Sequence, residues 1–139
     1  STLACTEVEN SADSPAGTWM LTDWEQDCSE DSNYRFCTAS IDRTLVINED
    51  LSGTNKITEM TTVEGLNGDD SPNIIIVCEG AIELTSNDIG YILNYTYEGT
   101  IGQEGDDRYM LSSDEMDCLV TDGLLECSAY GDSYLFELQ

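Results

Sequence analysis

No histidine occurs in these 139 residues, so the side chains able to do chemistry reduce to six cysteines, 29 acids and seven tyrosines. That set excludes Ser-His-Asp and Cys-His nucleophilic arrangements and leaves carboxylates and tyrosines as the only acid or base groups. Catalysis by two carboxylates, as in glycoside hydrolysis, needs a cleft that shifts their pKa values, and the sequence singles out no such pair. The chain reads as a non-enzyme. Its cysteines, at positions 5, 28, 37, 78, 118 and 127, come no closer than nine residues. Structural zinc sites use Cys-x-x-Cys spacings or histidine, so zinc and iron–sulfur centres are not expected. An even count in a short chain signals a disulfide framework, which persists in oxidising, extracytoplasmic surroundings, and a secreted protein is expected.

One disulfide follows from the local sequence. In Cys118-Leu-Val-Thr-Asp-Gly-Leu-Leu-Glu-Cys127 an Asp-Gly pair, the preferred centre of a two-residue type I′ turn, is flanked by apolar residues. Counting outward from Asp122 and Gly123 pairs Thr121 with Leu124, Val120 with Leu125, Leu119 with Glu126 and Cys118 with Cys127. Cys5, Cys28, Cys37 and Cys78 then allow three connectivities that sequence does not separate. By elimination the reading leans to Cys28 with Cys78 and Cys5 with Cys37, which would tie an N-terminal segment, residues 1–16, to a domain over 17–139.

The acids suggest a second kind of site. Gly68-Asp69-Asp70 and Gly105-Asp106-Asp107 repeat one pattern, with Glu104 beside the second, and paired carboxylates on a glycine turn can bind Ca²⁺. Asp69, Asp70, Asp106 and Asp107 are the candidate calcium ligands, although neither turn has EF-hand spacing. No other cofactor is expected. Asn94-Tyr95-Thr96 is the only Asn-x-Ser/Thr sequon, a glycosylation site if the source is eukaryotic.

With four basic residues against those acids, the formal charge is −25. Such a field repels nucleic acid and anionic membrane surfaces, so neither is an expected partner. It also destabilises a compact state unless salt or bound cations offset it, which suits a saline habitat. The acids are spread through the chain, as on a solvated surface rather than a disordered tail. The length suits one domain with a moderate core. No stretch approaches the roughly 20 apolar residues of a membrane-spanning helix. With no signal peptide in view, Ser1 is expected near a processed or engineered start. Thr2-Leu3-Ala4-Cys5 is similar to a lipoprotein processing site, but lipid on Cys5 would strand one of the other five cysteines.

Short strands separated by turn residues must position these groups. The pattern predicts strands over 18–24, 34–40, 43–48, 55–62, 73–78, 80–85, 90–97, 108–112, 117–121, 124–130 and 133–138, and no segment of ten or more residues shows a helical period. An all-β, antiparallel barrel or sandwich follows. Alternation puts Trp19 and Leu21 on one face, as it does Leu45 and Ile47, Ile82 and Leu84, Val120 and Leu125, and Tyr134, Phe136 and Leu138. From Ile89 to Tyr97 the odd positions give Ile89, Tyr91, Leu93, Tyr95 and Tyr97 an inward face and leave Asn94 outward. The run Ile74–Val77 is apolar on both faces, so it needs a second layer or a partner against it.

Gly17-Thr18-Trp19, opening the first clear strand after a polar segment, resembles the start of the lipocalin-like barrels. In that family Gly-x-Trp begins the first strand, and the tryptophan closes one end of an up-and-down barrel that binds a small apolar molecule at the other. The stretch from Arg43 to Thr54 is similar to the strand and glycine turn that follow in bacterial secreted lipocalin-like domains. The resemblance implies an antiparallel up-and-down barrel of about 8 to 10 strands, disulfide-stabilised, over most of the chain. The family's arginine on a late strand has no counterpart in Ser133–Gln139, and no C-terminal helix follows, which favours a shorter lipocalin-like barrel.

The expected function is that of a secreted binding protein for a small apolar or cationic ligand, with Trp19, Tyr91, Tyr95, Tyr97 and Phe136 as the ligand-binding residues. The competing expectation is a structural subunit of an extracellular filament or surface layer, which would self-associate through the Ile74–Val77 strand and bind no small molecule.

Overall fold

Alternation over the chain becomes, in the computed structural model, a closed antiparallel barrel of eight strands with one short extra strand. The structure describes residues 14–68, 71–103 and 106–139, and no helix occurs among them. The strands are β1 (Gly17–Glu25), β2 (Ser29–Glu30), β3 (Tyr34–Ile47), β4 (Ser52–Gly65), β5 (Ser71–Ser86), β6 (Tyr91–Gln103), β7 (Asp106–Thr121), β8 (Leu124–Ala129) and β9 (Asp132–Leu138). From β2 to β9 neighbours in sequence pair in turn, and β1 closes the ring by pairing with both β9 and β3. β2 is the extra strand, on the upper part of β3.

Several expected breaks are not breaks. The segments 34–40 and 43–48 fuse into β3, 73–78 and 80–85 into β5, and 108–112 and 117–121 into β7. Asp42, Glu79 and Glu115, which fall in the gaps between the expected strands, are outward members of continuous strands, and a register shift between Thr38 and Ser40 absorbs the irregularity in β3. Ile89 was expected inward, yet it sits in the β5–β6 turn and is 85% exposed.

The wall is uneven. Strands β3 to β7 run 13 to 16 residues, whereas β1, β8 and β9 run 9, 6 and 7. β1 meets β3 only over Gly17–Met20, and β8 meets β7 only over Asp117–Thr121. The barrel is therefore closed at the end holding Gly17, the 48–51 turn and Asp122–Gly123. Above that the five long strands continue as an open trough.

The closed end is an apolar core. Trp19, Leu45, Leu93, Leu125 and Phe136 are each 0% exposed, joined by Ile47, Ile82, Leu84, Met116 and Val120. Trp19 also donates its indole Nε1–H to the Pro15 carbonyl at 2.8 Å, which satisfies the polar atom that burial would otherwise orphan. The Asp122-Gly123 hairpin has the expected register, with both residues at positive φ as a type I′ turn demands. Cys118 and Cys127 face each other across it, Cα atoms 4.1 Å apart, and form a disulfide on the inner face.

The second disulfide corrects the expected pairing. Cys28 bonds Cys37, not Cys78, and Cys37 is therefore not available to Cys5. The reason is local: Ser29 pairs with Phe36 and Glu30 with Arg35, so Cys28 and Cys37 fall opposite one another in the β2–β3 hairpin, Cα atoms 4.5 Å apart. Cys5 lies outside the described residues. Cys78 is buried in β5 with no disulfide partner among the described residues. Two intramolecular disulfides suit an oxidising, extracellular-type environment.

The Ile74–Val77 run is also relocated. It lies in β5, hydrogen-bonded to β4 on one side and β6 on the other, so its backbone offers no free edge. Ile75 and Val77 face outward and stay exposed. The longest unpaired stretch of edge among the described residues is the Asp106–Met116 portion of β7, which has no partner on the β8 side.

Candidate functional site

Where the closed core ends, the inner face of the barrel turns polar. On β3 the alternating inward positions are Ile41, Arg43, Leu45 and Ile47, so a cation enters a series of hydrophobes. Arg43 is 6% exposed, and Asn55, inward from β4, is 1% exposed. The arginine donates its Nε–H to Asn55 Oδ1 at 2.8 Å. Its guanidinium carbon lies 5.0 Å from the centre of the Tyr95 ring and 5.8 Å from that of Tyr134, within range of cation–π attraction to both.

This arrangement is incomplete. The only ion pair among the described residues joins Arg108 to Asp106 at the surface, so Arg43 has no carboxylate within 4.0 Å. Asn55 Nδ2 is buried and has no hydrogen-bond partner. Rotating the amide would not help, because it would aim Nδ2 at the Nε–H of Arg43 and oppose two donors. A buried polar group left unpaired costs about 1–3 kcal/mol.

Around this pair stands a second polar shell from the trough. The Thr38 hydroxyl sits between Gln26 Oε1 at 2.5 Å and Glu59 Oε1 at 3.2 Å, and Gln26 Nε2 donates to the Tyr134 hydroxyl at 2.5 Å. Desolvation pushes the Glu59 carboxyl above its ordinary range, against the opposing pull of Thr38 and Arg43. Burial likewise raises Tyr95 to about 12, despite the nearby arginine, and raises Tyr134. Arg43 itself is lowered by burial, while Tyr95, Tyr134 and Tyr97 counter the shift. Both tyrosines are neutral donors at physiological pH, and the arginine stays a cation. The site can therefore present several donors and one buried positive charge inside a strongly negative protein.

The five residues expected to bind ligand divide between two layers. Trp19 and Phe136 are packed at the closed end with no accessible surface, and Tyr91 is half-buried against the same core. Tyr95 and Tyr97 stand higher, their rings stacked 5.5 Å apart beside Arg43. Asp69 and Asp70 lie outside the described residues. Asp106 and Asp107 are exposed, the former 3.4 Å from Arg108, and among the described residues no three acidic, cysteine or histidine side chains gather as a metal site. Asn94 is exposed on the outer face of β6.

The sequence reading missed Arg43, Asn55 and Glu59. The signal was available: Arg43 shares parity with Leu45 and Ile47, and Asn55 and Glu59 share it with Ile57.

A groove of about 730 Å³ occupies the outer face of the short wall. Leu119, Leu135 and Ile89 supply apolar surface there, and Asp23, Glu25, Asp117 and Glu126 surround it with negative charge. Cys118, Cys127 and Tyr134 line it as well, and Tyr134 is common to this groove and the Arg43 layer. Comparison of the chain with known protein families, curated proteins and solved structures finds no match.

Proposed function

We propose that this chain is a secreted, lipocalin-like binding module that holds a small amphiphilic molecule in the open half of its barrel. The observation that carries the reading is the buried, incompletely satisfied Arg43–Asn55 pair at the floor of a trough whose inner wall mixes half-buried hydrophobes such as Ile57, Ile76 and Ile101 with polar side chains. Proteins keep buried polar groups paired, so a floor of this kind supports a guest that completes it. Tyr95 and Tyr97 remain the ligand-contacting residues of choice, with Tyr134 beside them. Trp19, Tyr91 and Phe136 support the floor from below. The proposal assigns no catalytic step, and the −25 charge supports excluding nucleic acid and anionic membranes as partners.

The test is binding of the neutral probe N-phenyl-1-naphthylamine together with sizing by sedimentation. A monomer that binds one equivalent saturably agrees with the module. A monomer without saturable binding removes it.

A second reading, the assembly subunit, has its own observation. Ile75 and Val77 on the outer face of β5, and Tyr109 and Leu111 within the unpaired stretch of β7, are exposed apolar side chains on either side of Thr100 and Glu98 of β6. In that case the native protein sediments as oligomers, and Leu111→Lys returns it to a monomer with unchanged circular dichroism.

A further inference from the structure

Resting on the binding-module reading, we infer that the barrel selects a carboxylate amphiphile, its head group held between the Arg43 guanidinium and Asn55 Nδ2 and its chain along the trough. Two independent observations converge on the head group. Arg43 is a nearly buried cation that gives Asn55 its Nε–H and has only neutral partners, Asn55 and the Tyr95 hydroxyl, with no carboxylate beside it. Asn55, whose Oδ1 is occupied by that bond, is left with a wholly buried donor and nothing to give it to. An acceptor with two oxygens in one plane, set beside a guanidinium and an amide, satisfies both at once.

The charge of the guest follows from the same groups. A cation would meet Arg43 in a poorly screened interior, and a neutral head group would leave the arginine without a counter-ion. A dianion such as a phosphate monoester would be opposed twice over by a protein of charge −25, so a monoanion is favoured. Above the floor, Ile57, Ile76, Ile101, Met110 and Phe36 are half-buried on the inner face of the long strands, a surface that accepts a hydrocarbon chain. Glu59 near the floor carries a carboxyl that burial already holds above its ordinary range, which reduces its repulsion of an incoming anion.

The experiment titrates the whole chain calorimetrically with dodecanoate, dodecanol and dodecylamine, three probes with the same tail. Dodecanoate binds one equivalent at least tenfold more tightly than either of the others. Arg43→Gln loses that preference. Asn55→Asp supplies the carboxylate from within the protein and removes the amide donor, so this variant melts no lower than its parent and no longer binds dodecanoate. Its unaltered melting keeps the result readable even if Arg43→Gln fails to fold. Equal affinity for all three tails, or dodecanoate binding retained in Asn55→Asp, overturns the anion assignment and leaves the binding module standing. No binding of any probe, including N-phenyl-1-naphthylamine, means that water completes the Arg43–Asn55 pair and removes both readings.

Discussion

The two ends of this barrel are built from the same strands by opposite rules. At the closed end, eight strands meet around Trp19, Leu45, Leu125 and Phe136, and the Trp19 indole N–H has a carbonyl partner. In the trough the ring is no longer closed, and the inward positions are taken by Arg43, Asn55, Glu59, Thr38 and the tyrosines beside residual hydrophobes. The closed end has its stabilising contacts complete. The trough carries an unmet donor and a buried charge.

Core truncation tests that division most strongly. Phe136→Ala is expected to lower unfolding free energy by about 3–5 kcal/mol, since a fully buried aromatic leaves a cavity in a close-packed core. Phe36→Ala, in the trough, is expected to cost about 1 kcal/mol because the ring is already partly hydrated. Comparable losses in denaturant titrations would mean that the trough is as closed as the end beneath it.

The disulfides sharpen the same contrast at smaller scale. Replacing Cys118 and Cys127 together by alanine removes a crosslink inside the closed core and is expected to cost about 2–4 kcal/mol. The same double replacement at Cys28 and Cys37 frees only a two-residue strand at the rim, where Cys28 is exposed, and should cost less. Thermal melts of the two variants decide the order. The reverse order would place the barrel's weak point in its closed half.

Glu59 gives the smallest effect. Burial raises its pKa above the ordinary 4.5, so the folded state holds this proton more tightly than the unfolded chain. The associated stability is complete below 4.5 and is lost as pH rises through the raised value. Glu59→Gln should therefore melt slightly above its parent at neutral pH, with the gap closing as the solution is acidified. A variant that melts lower at neutral pH would show that the Glu59 charge is needed by Arg43.

The legibility of the two ends differs for a physical reason. At the closed end one face of every strand is dry, so period-two alternation marked Leu45 and Ile47, Ile82 and Leu84, and Val120 and Leu125 in the sequence, and the Asp122-Gly123 turn pinned the Cys118–Cys127 register. In the trough both faces of a strand carry polar residues. Arg43 and Asn55 were given no inward role, since a charge or amide is usually outside, although their parity placed them inside. Cys28–Cys37 was missed because β2 has only two residues, too few to alternate. Its spacing of nine matches that of Cys118–Cys127, and Asp31 supplies the turn by accepting the backbone N–H groups of Asn33 and Tyr34.

Closure of the ring sets the order in which this protein can be made. β1 finds its partner in β9, with Trp19 opposite Leu138, so the first strand waits on the last, across nearly the whole chain. Contacts of such separation form late, because the intervening chain must be ordered before they can hold. Both disulfides, by contrast, span nine residues within single hairpins, and each can be oxidised correctly while the rest is still extended. During synthesis the chain thus stays unclosed until β9 has emerged, with the two crosslinks among the described residues set locally.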